Sequence, residues 1–275
     1  MGIKVKDGGT FKDVDQVHVK DGSAWKKSKI TSVKDAGTWK ESHRSTYYHT
    51  ISVDTNKLDL DAIGLDKFFD VQITIDTGVY VYSDDVNVPA VKTGTGYGGV
   101  LTIINNGFIC GAGGAGGTGG GANAVGLDGS DGGIGLLVME DVTIDNNGMI
   151  FGGGGGGGGG GGMYYDDSIY HDDDYSTGGG GGGGAYLGAA GAAGSCSGNC
   201  STASAGSIGQ KLTGGLGGAG QNHDGHGMSG AGGTGGILGE DGATGGTSTS
   251  AKVGGAGGTA GEDVSVESGM AVTYL

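Results

Sequence analysis

The stretch GGGGGGGGGGGMYYDDSIYHDDDYSTGGGGGGG, residues 152–184, holds eleven consecutive glycines, a fifteen-residue loop and seven more glycines. Glycine has no side chain to bury, and ordering it costs roughly 1 to 2 kcal/mol of backbone entropy per residue. Left alone, such a tract stays a flexible linker. A linker has no reason to recur, however, and similar tracts follow and precede this one: GAGGAGGTGGG (Gly111 to Gly121), GGLGGAG (Gly214 to Gly220), GAGGTGG (Gly230 to Gly236) and GGAGGTAG (Gly254 to Gly261). The ordered alternative is a bundle of polyproline-II-like helices with three residues per turn and no internal hydrogen bonds. Each backbone must then be satisfied by its neighbours, at an approach only glycine faces permit. Ala and Thr in the mixed tracts would mark outward faces.

Composition divides the chain. Sixty of the 72 glycines in 275 residues lie after residue 110, against a single proline. Residues 1–44 carry a net charge of +4 and the remainder −19. So acidic a body argues against nucleic acid, whose phosphates need a basic face. The opening MGIKVKDGG lacks an apolar signal region, and no segment approaches the roughly 18 apolar residues of a membrane span. The expectation is synthesis in a cytoplasm without an export signal of its own.

The first 44 residues repeat with a period of fourteen: VKDGGTFKDVDQVH from Val5, VKDGSAWKKSKITS from Val19 and VKDAGTWKES from Val33. Phe11, Trp25 and Trp39 share one register. Each unit pairs a Gly-containing turn with a short strand bearing one aromatic. Three small units cannot bury their own aromatics, so they pack onto something else. A homotrimer tip, with one aromatic per partner subunit, suits a threefold repeat; packing on residues 45–110 as a small solenoid is the alternative.

From Tyr47 to Cys110 the pattern alternates as strands do, while Asn56 to Asp70 allows one or two short turns. LTIINNGFICGAGG from Leu101 returns as VTIDNNGMIFGGGG from Val142, with shorter relatives at Thr74 and Ser265. Such units stack as solenoid rungs with Ile103, Ile109, Ile144 and Ile150 inside. Gly107 and Gly148 are expected at positive φ.

Chemical motifs are few. No Gly-Lys pair exists for a P-loop, and glycine abundance makes GxGxxG uninformative. The Ca²⁺-binding nonapeptide fails at its acidic position, and no cofactor or metal is assigned. In the Asp-rich loop, Asp166, Asp167, Asp172, Asp173 and Asp174 with His171 read as a solvated face, with a Ca²⁺ site as the competing reading. No positioned base or nucleophile accompanies the carboxylates, so no enzyme is expected. Cys196 and Cys200 in CSGNC either form a disulfide under oxidising conditions or remain free thiols. Tyr164, Tyr165, Tyr170 and Tyr175 give the loop amphipathic contact area at low entropy cost, as recognition loops require. Loops at the tract ends make a binding face. These include AYLGAAGAAGSCSGNCSTASAGSIGQKL (residues 185–212) with Tyr186 and Leu187, QNHDGHGMS with Asn222, His223, His226 and Met228, and ILGEDGATGGTSTSAKV (residues 237–253) with Glu240 and Asp241.

INNG (Ile104 to Gly107) and DNNG (Asp145 to Gly148), running into tracts that alternate with loops as far as residue 261, resemble the distal long-tail-fibre adhesins of T-even-like bacteriophages. The N-terminal VKDGG-type repeats depart from that family's attachment segment and resemble repeats of other phage tail proteins. The resemblance implies a mostly β and polyglycine-II fold. On their threefold aromatic repeat, residues 1–44 would be fibre-attachment repeats, and on the strand repeats 45–110 a β-solenoid-like connection; the resemblance makes 111–275 a polyglycine-II receptor-binding bundle. It further implies a virion protein at the tip of a tail fibre, one copy seated on a trimeric fibre protein, whose loops contact a bacterial outer-membrane protein or lipopolysaccharide. Two other functions fit glycine-rich helices less well: an antifreeze-type face, which bulky acidic loops disfavour, and a polysaccharide-degrading tip.

Overall fold

The computed structural model describes residues 4–7, 10–13, 18–21, 24–28, 30–35, 38–165, 174–196, 200–222, 225 and 227–275. Regular structure is all strand, with no helix among the described residues. Three antiparallel hairpins come first: β1 (Lys4–Asp7) with β2 (Thr10–Asp13), β3 (His18–Asp21) with β4 (Ala24–Lys27), and β5 (Ile30–Asp35) with β6 (Thr38–Arg44). Phe11 stands opposite Lys6, Trp25 opposite Lys20 and Trp39 opposite Lys34, so each sequence repeat is one hairpin in one register.

Three parallel sheets then stack rung upon rung. The first contains β7 (Thr46–Ile51), β10 (Asp70–Ile75), β13 (Leu101–Asn105), β16 (Val142–Asn146) and β22 (Val272–Tyr274). The second contains β8 (Thr55–Asn56), β11 (Tyr80–Tyr82), β14 (Phe108–Cys110) and β17 (Met149–Phe151). The third contains β9 (Leu58–Asp59), β12 (Val91–Lys92), β15 (Leu136–Val138) and β21 (Val264–Val266). Period-two alternation puts every second residue inside, as in DVQITI of β10. Ile73, Ile103 and Ile144 align across three rungs, and Ile109 pairs with Ile150. All four isoleucines expected in the core are buried, each contributing about 1.5 to 3 kcal/mol.

The NNG turns work differently from expectation. Neither Gly107 nor Gly148 has positive φ; Gly78, at the equivalent turn of the preceding rung, does, at +80°. Glycine is required at the other two because a Cβ on Gly107 would overlap the Val79 carbonyl oxygen, and one on Gly148 the Gly107 carbonyl oxygen. Rungs approach too closely there for a side chain. The relative at Ser265 also joins two strands, but from the third sheet to the first, with Gly269 at +89°.

Asn105, fully buried, locks this corner. Its amide donates to Asn146 Oδ1 at 2.8 Å and to the Met149 carbonyl at 3.1 Å, while its Oδ1 accepts the Gly107 N–H. Asn105→Leu should therefore lower unfolding free energy by about 2 kcal/mol or more, since buried polar groups lose their partners. Urea denaturation measures this.

The glycine-rich sequence leaves the stack at one corner. Residues 111–135 run out and back between β14 and β15, and residues 152–263 between β17 and β21. Backbone hydrogen bonds recur at every third residue: Gly114, Gly117 and Gly120 N–H groups donate to the carbonyls of Gly154, Gly157 and Gly160, each at 2.8 Å. This pattern defines ten tracts among the described residues: 111–121, 124–135, 152–162, 178–184, 188–195, 203–210, 213–220, 229–237, 240–247 and 252–262. Adjacency arranges them in three layers: 124–135, 111–121 and 188–195; then 252–262, 152–162, 178–184 and 203–210; then 240–247, 229–237 and 213–220.

The two pure glycine runs are the interior of that lattice. Tract 152–162 exchanges hydrogen bonds with six neighbours, and so does 178–184. A Cβ on Gly156, Gly157 or Gly158 would overlap the carbonyl oxygen of Ala115, Gly233 or Gly255 respectively, so each of the three faces is closed. Outer tracts keep glycine on closed faces and place Ala115, Ala231, Thr234, Leu216, Ala256 and Thr259 toward solvent. At the rim, side chains replace missing neighbours. Asp128 Oδ1 accepts the Ala256 N–H, Ser130 Oγ that of Ala115, and Ser207 Oγ that of Leu216, all at 2.7 Å. Asp131 takes both the N–H and hydroxyl of Thr259, and these bonds hold its carboxyl below the usual value.

Candidate recognition surface

Because the tracts alternate in direction, their connections fall at two opposite ends. At the end beside the β stack, Ala185 to Gly188, Gln210 to Thr213 and Ile237 to Glu240 turn the chain. At the far end lie 121–124, 163–177, 195–203, 220–229 and 247–252.

At the far end, β18 (Met163–Tyr165) and β19 (Asp174–Ser176) form an antiparallel hairpin, and β20 (Cys200–Ser201) adds in parallel to β19. Tyr164 is opposite Tyr175, with ring centroids 5.3 Å apart, and Tyr165 is 41% exposed. Met163 points inward and is buried, which fixes the hairpin on the tracts. The next loop closes through a bridge between Asn222 and Met228. Met228 N–H donates to Thr249 Oγ1 at 3.1 Å, and its carbonyl accepts the Thr249 N–H at 2.9 Å. The Tyr164 N–H reaches Ser250 Oγ at 3.2 Å. Met228 remains 54% exposed.

Tyr164, Tyr165, Asp174, Tyr175, Asn222 and Met228 therefore come together from separate parts of the sequence. Asp166, Asp167, Tyr170, His171, Asp172, Asp173, His223 and His226 lie outside the described residues, as does any Ca²⁺ site they would form. The backbones of Phe11, Trp25 and Trp39 occupy the hairpin positions already given. Among the described residues no group of three or more His, Cys, Asp or Glu side chains is placed to hold a metal.

Four expected contact residues sit at the opposite end. Tyr186 corrects the sequence reading outright: it is 2% exposed, its ring 5.1 Å from that of Tyr82, with Cys110, Ala185 and Leu238 in the same cluster. Burial raises its phenol above the usual pKa. A buried ring at the join between stack and tracts has no access to a receptor. Leu187 is half exposed beside it, the Glu240 carbonyl accepts the Gly155 N–H, and Asp241 Oδ1 accepts the Ala260 N–H. Cys110, fully buried in the same cluster, has its thiol pushed up to about 12 by burial and is chemically inert at neutral pH.

Thr249 and Ser250 lie in the expected loop 237–253 without being singled out there, and sequence reasoning misses the 121–124 turn, where Asn123 adopts φ +57°. The four tracts 124–135, 188–195, 203–210 and 240–247 are not distinguished from loop by the glycine runs alone. Their signal was glycine at every third position, as in Gly126, Gly129, Gly132 and Gly135.

No curated protein matches the chain in sequence. Among solved structures, it is similar to the crystal structure of the gp37–gp38 adhesin tip complex of the bacteriophage S16 long tail fiber, at 25% identity over 86% of this chain and 84% of that one, with a TM-score of 0.45. The family model of the phage tail fibre adhesin Gp38 matches residues 46–274. With the stack, the glycine tracts and the far-end loops all inside that match, the chain belongs to the Gp38 family of phage tail fibre adhesins.

Proposed function

We propose that this adhesin sits at the distal tip of a tail fibre and binds a bacterial outer-membrane protein or lipopolysaccharide through its far-end loops. The observation that carries the reading is the convergence of Tyr164, Tyr165, Tyr175, Asn222 and Met228 on the end away from the β stack. Tyr170, His171, His223, His226 and the aspartates of residues 166–174 would extend this surface. The tracts would be polyglycine-II helices, which the three-residue recurrence of their hydrogen bonds supports. At about 3.1 Å per residue, eleven residues set the tip about 34 Å beyond the β-solenoid. The rigid bundle makes this a binding device rather than an enzyme.

Residues 1–44 would attach one copy to a trimeric fibre protein, its three hairpins offering Phe11, Trp25 and Trp39 in equivalent positions. Residues 45–110 begin the connecting solenoid and 111–275 carry the receptor-binding part. The protein would be made in the host cytoplasm and act on the virion.

Binding of labelled protein to a panel of Gram-negative strains tests the surface. Strain-selective binding should disappear when residues 164–175 are replaced by a short Gly/Ser loop. Equal binding by both proteins would reject the assignment.

A further inference from the structure

The far-end sheet depends on a covalent link. Cys196 directly follows tract 188–195 and Cys200 opens β20, and the two form a disulfide. Its placement ties two neighbouring tracts to the recognition hairpin. Cys200 is opposite Tyr175 and Ser201 opposite Ser176. Beyond them the Thr177 N–H donates to the Ser201 carbonyl at 3.0 Å, and the Ala203 N–H to Thr177 Oγ1 at 2.9 Å. β20 is only two residues long and edges the sheet, so its own hydrogen bonds hold it weakly. The disulfide removes much of the freedom that β20 would otherwise have. Both cysteines are partly exposed and accessible to thiols in solution, unlike buried Cys110.

We propose that the Cys196–Cys200 pair is a redox-dependent latch that completes the recognition surface after the protein leaves a reducing compartment. Resting on the far-end surface as the receptor-contact site, the latch adds a maturation step. With a glutathione disulfide as oxidant, one cysteine thiolate attacks its S–S bond and expels a glutathione thiolate. The second thiolate then attacks the protein-bound sulfur and expels the other. One protein S–S bond forms, one glutathione S–S bond breaks, and the two thiol protons end on two glutathione molecules. Oxidation thus orders β20 against Tyr175, whose ring packs on Tyr164. Preorganisation of this kind raises affinity without a new receptor contact.

Two readouts on the full-length protein test the latch. Hydrogen exchange at the Thr177 and Ala203 amides should speed up on reduction with a phosphine, while amides of tract 152–162 stay protected. Virions should adsorb to their propagation host about tenfold more slowly after the same treatment and recover with oxidised glutathione. A Cys196→Ser/Cys200→Ser double variant should adsorb slowly and ignore the reductant. Unchanged exchange at Thr177 and Ala203 on reduction would overturn the latch, and so would a double variant that adsorbs like the parent. Exchange needs no receptor, so failure of the far-end surface as the contact site would appear separately, as unaltered adsorption on replacing residues 164–175 while exchange still responds.

Discussion

Gly157→Ala should abolish folding of the tract region, at a cost of at least about 4 kcal/mol. On general grounds the substitution looks favourable, because replacing glycine by alanine removes about 0.4 to 1 kcal/mol of unfolded-state entropy where the backbone permits it. At Gly157 it does not. The new methyl would overlap the Gly233 carbonyl oxygen, while the Gly157 N–H is bonded to Gly182 and its carbonyl to Gly117. Relief requires moving a whole neighbouring tract, which breaks a series of bonds rather than one. Ala231→Val is the control. It adds two methyl groups to an exposed position and should change stability by no more than about 0.5 kcal/mol. Protease resistance and thermal melting separate the two variants. A stable Gly157→Ala protein would sink the packed-lattice account.

Tyr186→Ala should cost about 3 to 5 kcal/mol, the range for emptying a buried aromatic site. The ring fills the join between stack and tracts, against Tyr82, Tyr80 and the side chains of Cys110 and Leu238. Around it, Tyr80 stacks on Phe108 at 4.5 Å, and Lys211 lies 4.1 Å above the Tyr80 ring. The cavity would loosen this mixed cluster. Folded molecules of the variant, kept below their melting temperature, should bind bacteria as the parent does. Tyr165→Ala should do the reverse, leaving melting unchanged and weakening binding. An unaltered melting temperature with lost binding in Tyr186→Ala would return that residue to the receptor surface.

The contrast between Tyr165 and Tyr186 shows what local sequence can and cannot convey. The hairpin repeats and the INNG and DNNG units were legible because their signals, a fourteen-residue period and apolar alternation, are local and act within one or two turns of chain. The pure glycine runs announced close packing for a similar reason, since no other residue tolerates six neighbours. Tracts such as 188–195 were hidden because two of their three faces are open and free to carry alanine or serine. Which end of the bundle a given loop occupies depends on how many tracts precede it, a count that fails once some tracts go unseen. Sequence alone therefore groups Tyr186, Leu187, Glu240 and Asp241 with loops at the opposite end. Gly107 and Gly148 teach the same lesson at smaller scale: the need for glycine there comes from the neighbouring rung, not from the turn itself.

Both excursions begin and end at the same corner of the stack, and this fixes a parity. Two tracts lie between β14 and β15 and eight between β17 and β21, so each excursion contains an even number. Losing one tract would deliver the chain to the tip instead of to its next rung, with the rest of the stack left unbuilt. Gain or loss is tolerable only in out-and-back pairs, and every pair changes the number of tip loops by one. Lineages of this protein can therefore vary the loops of the far end in whole-loop increments without disturbing a single strand register.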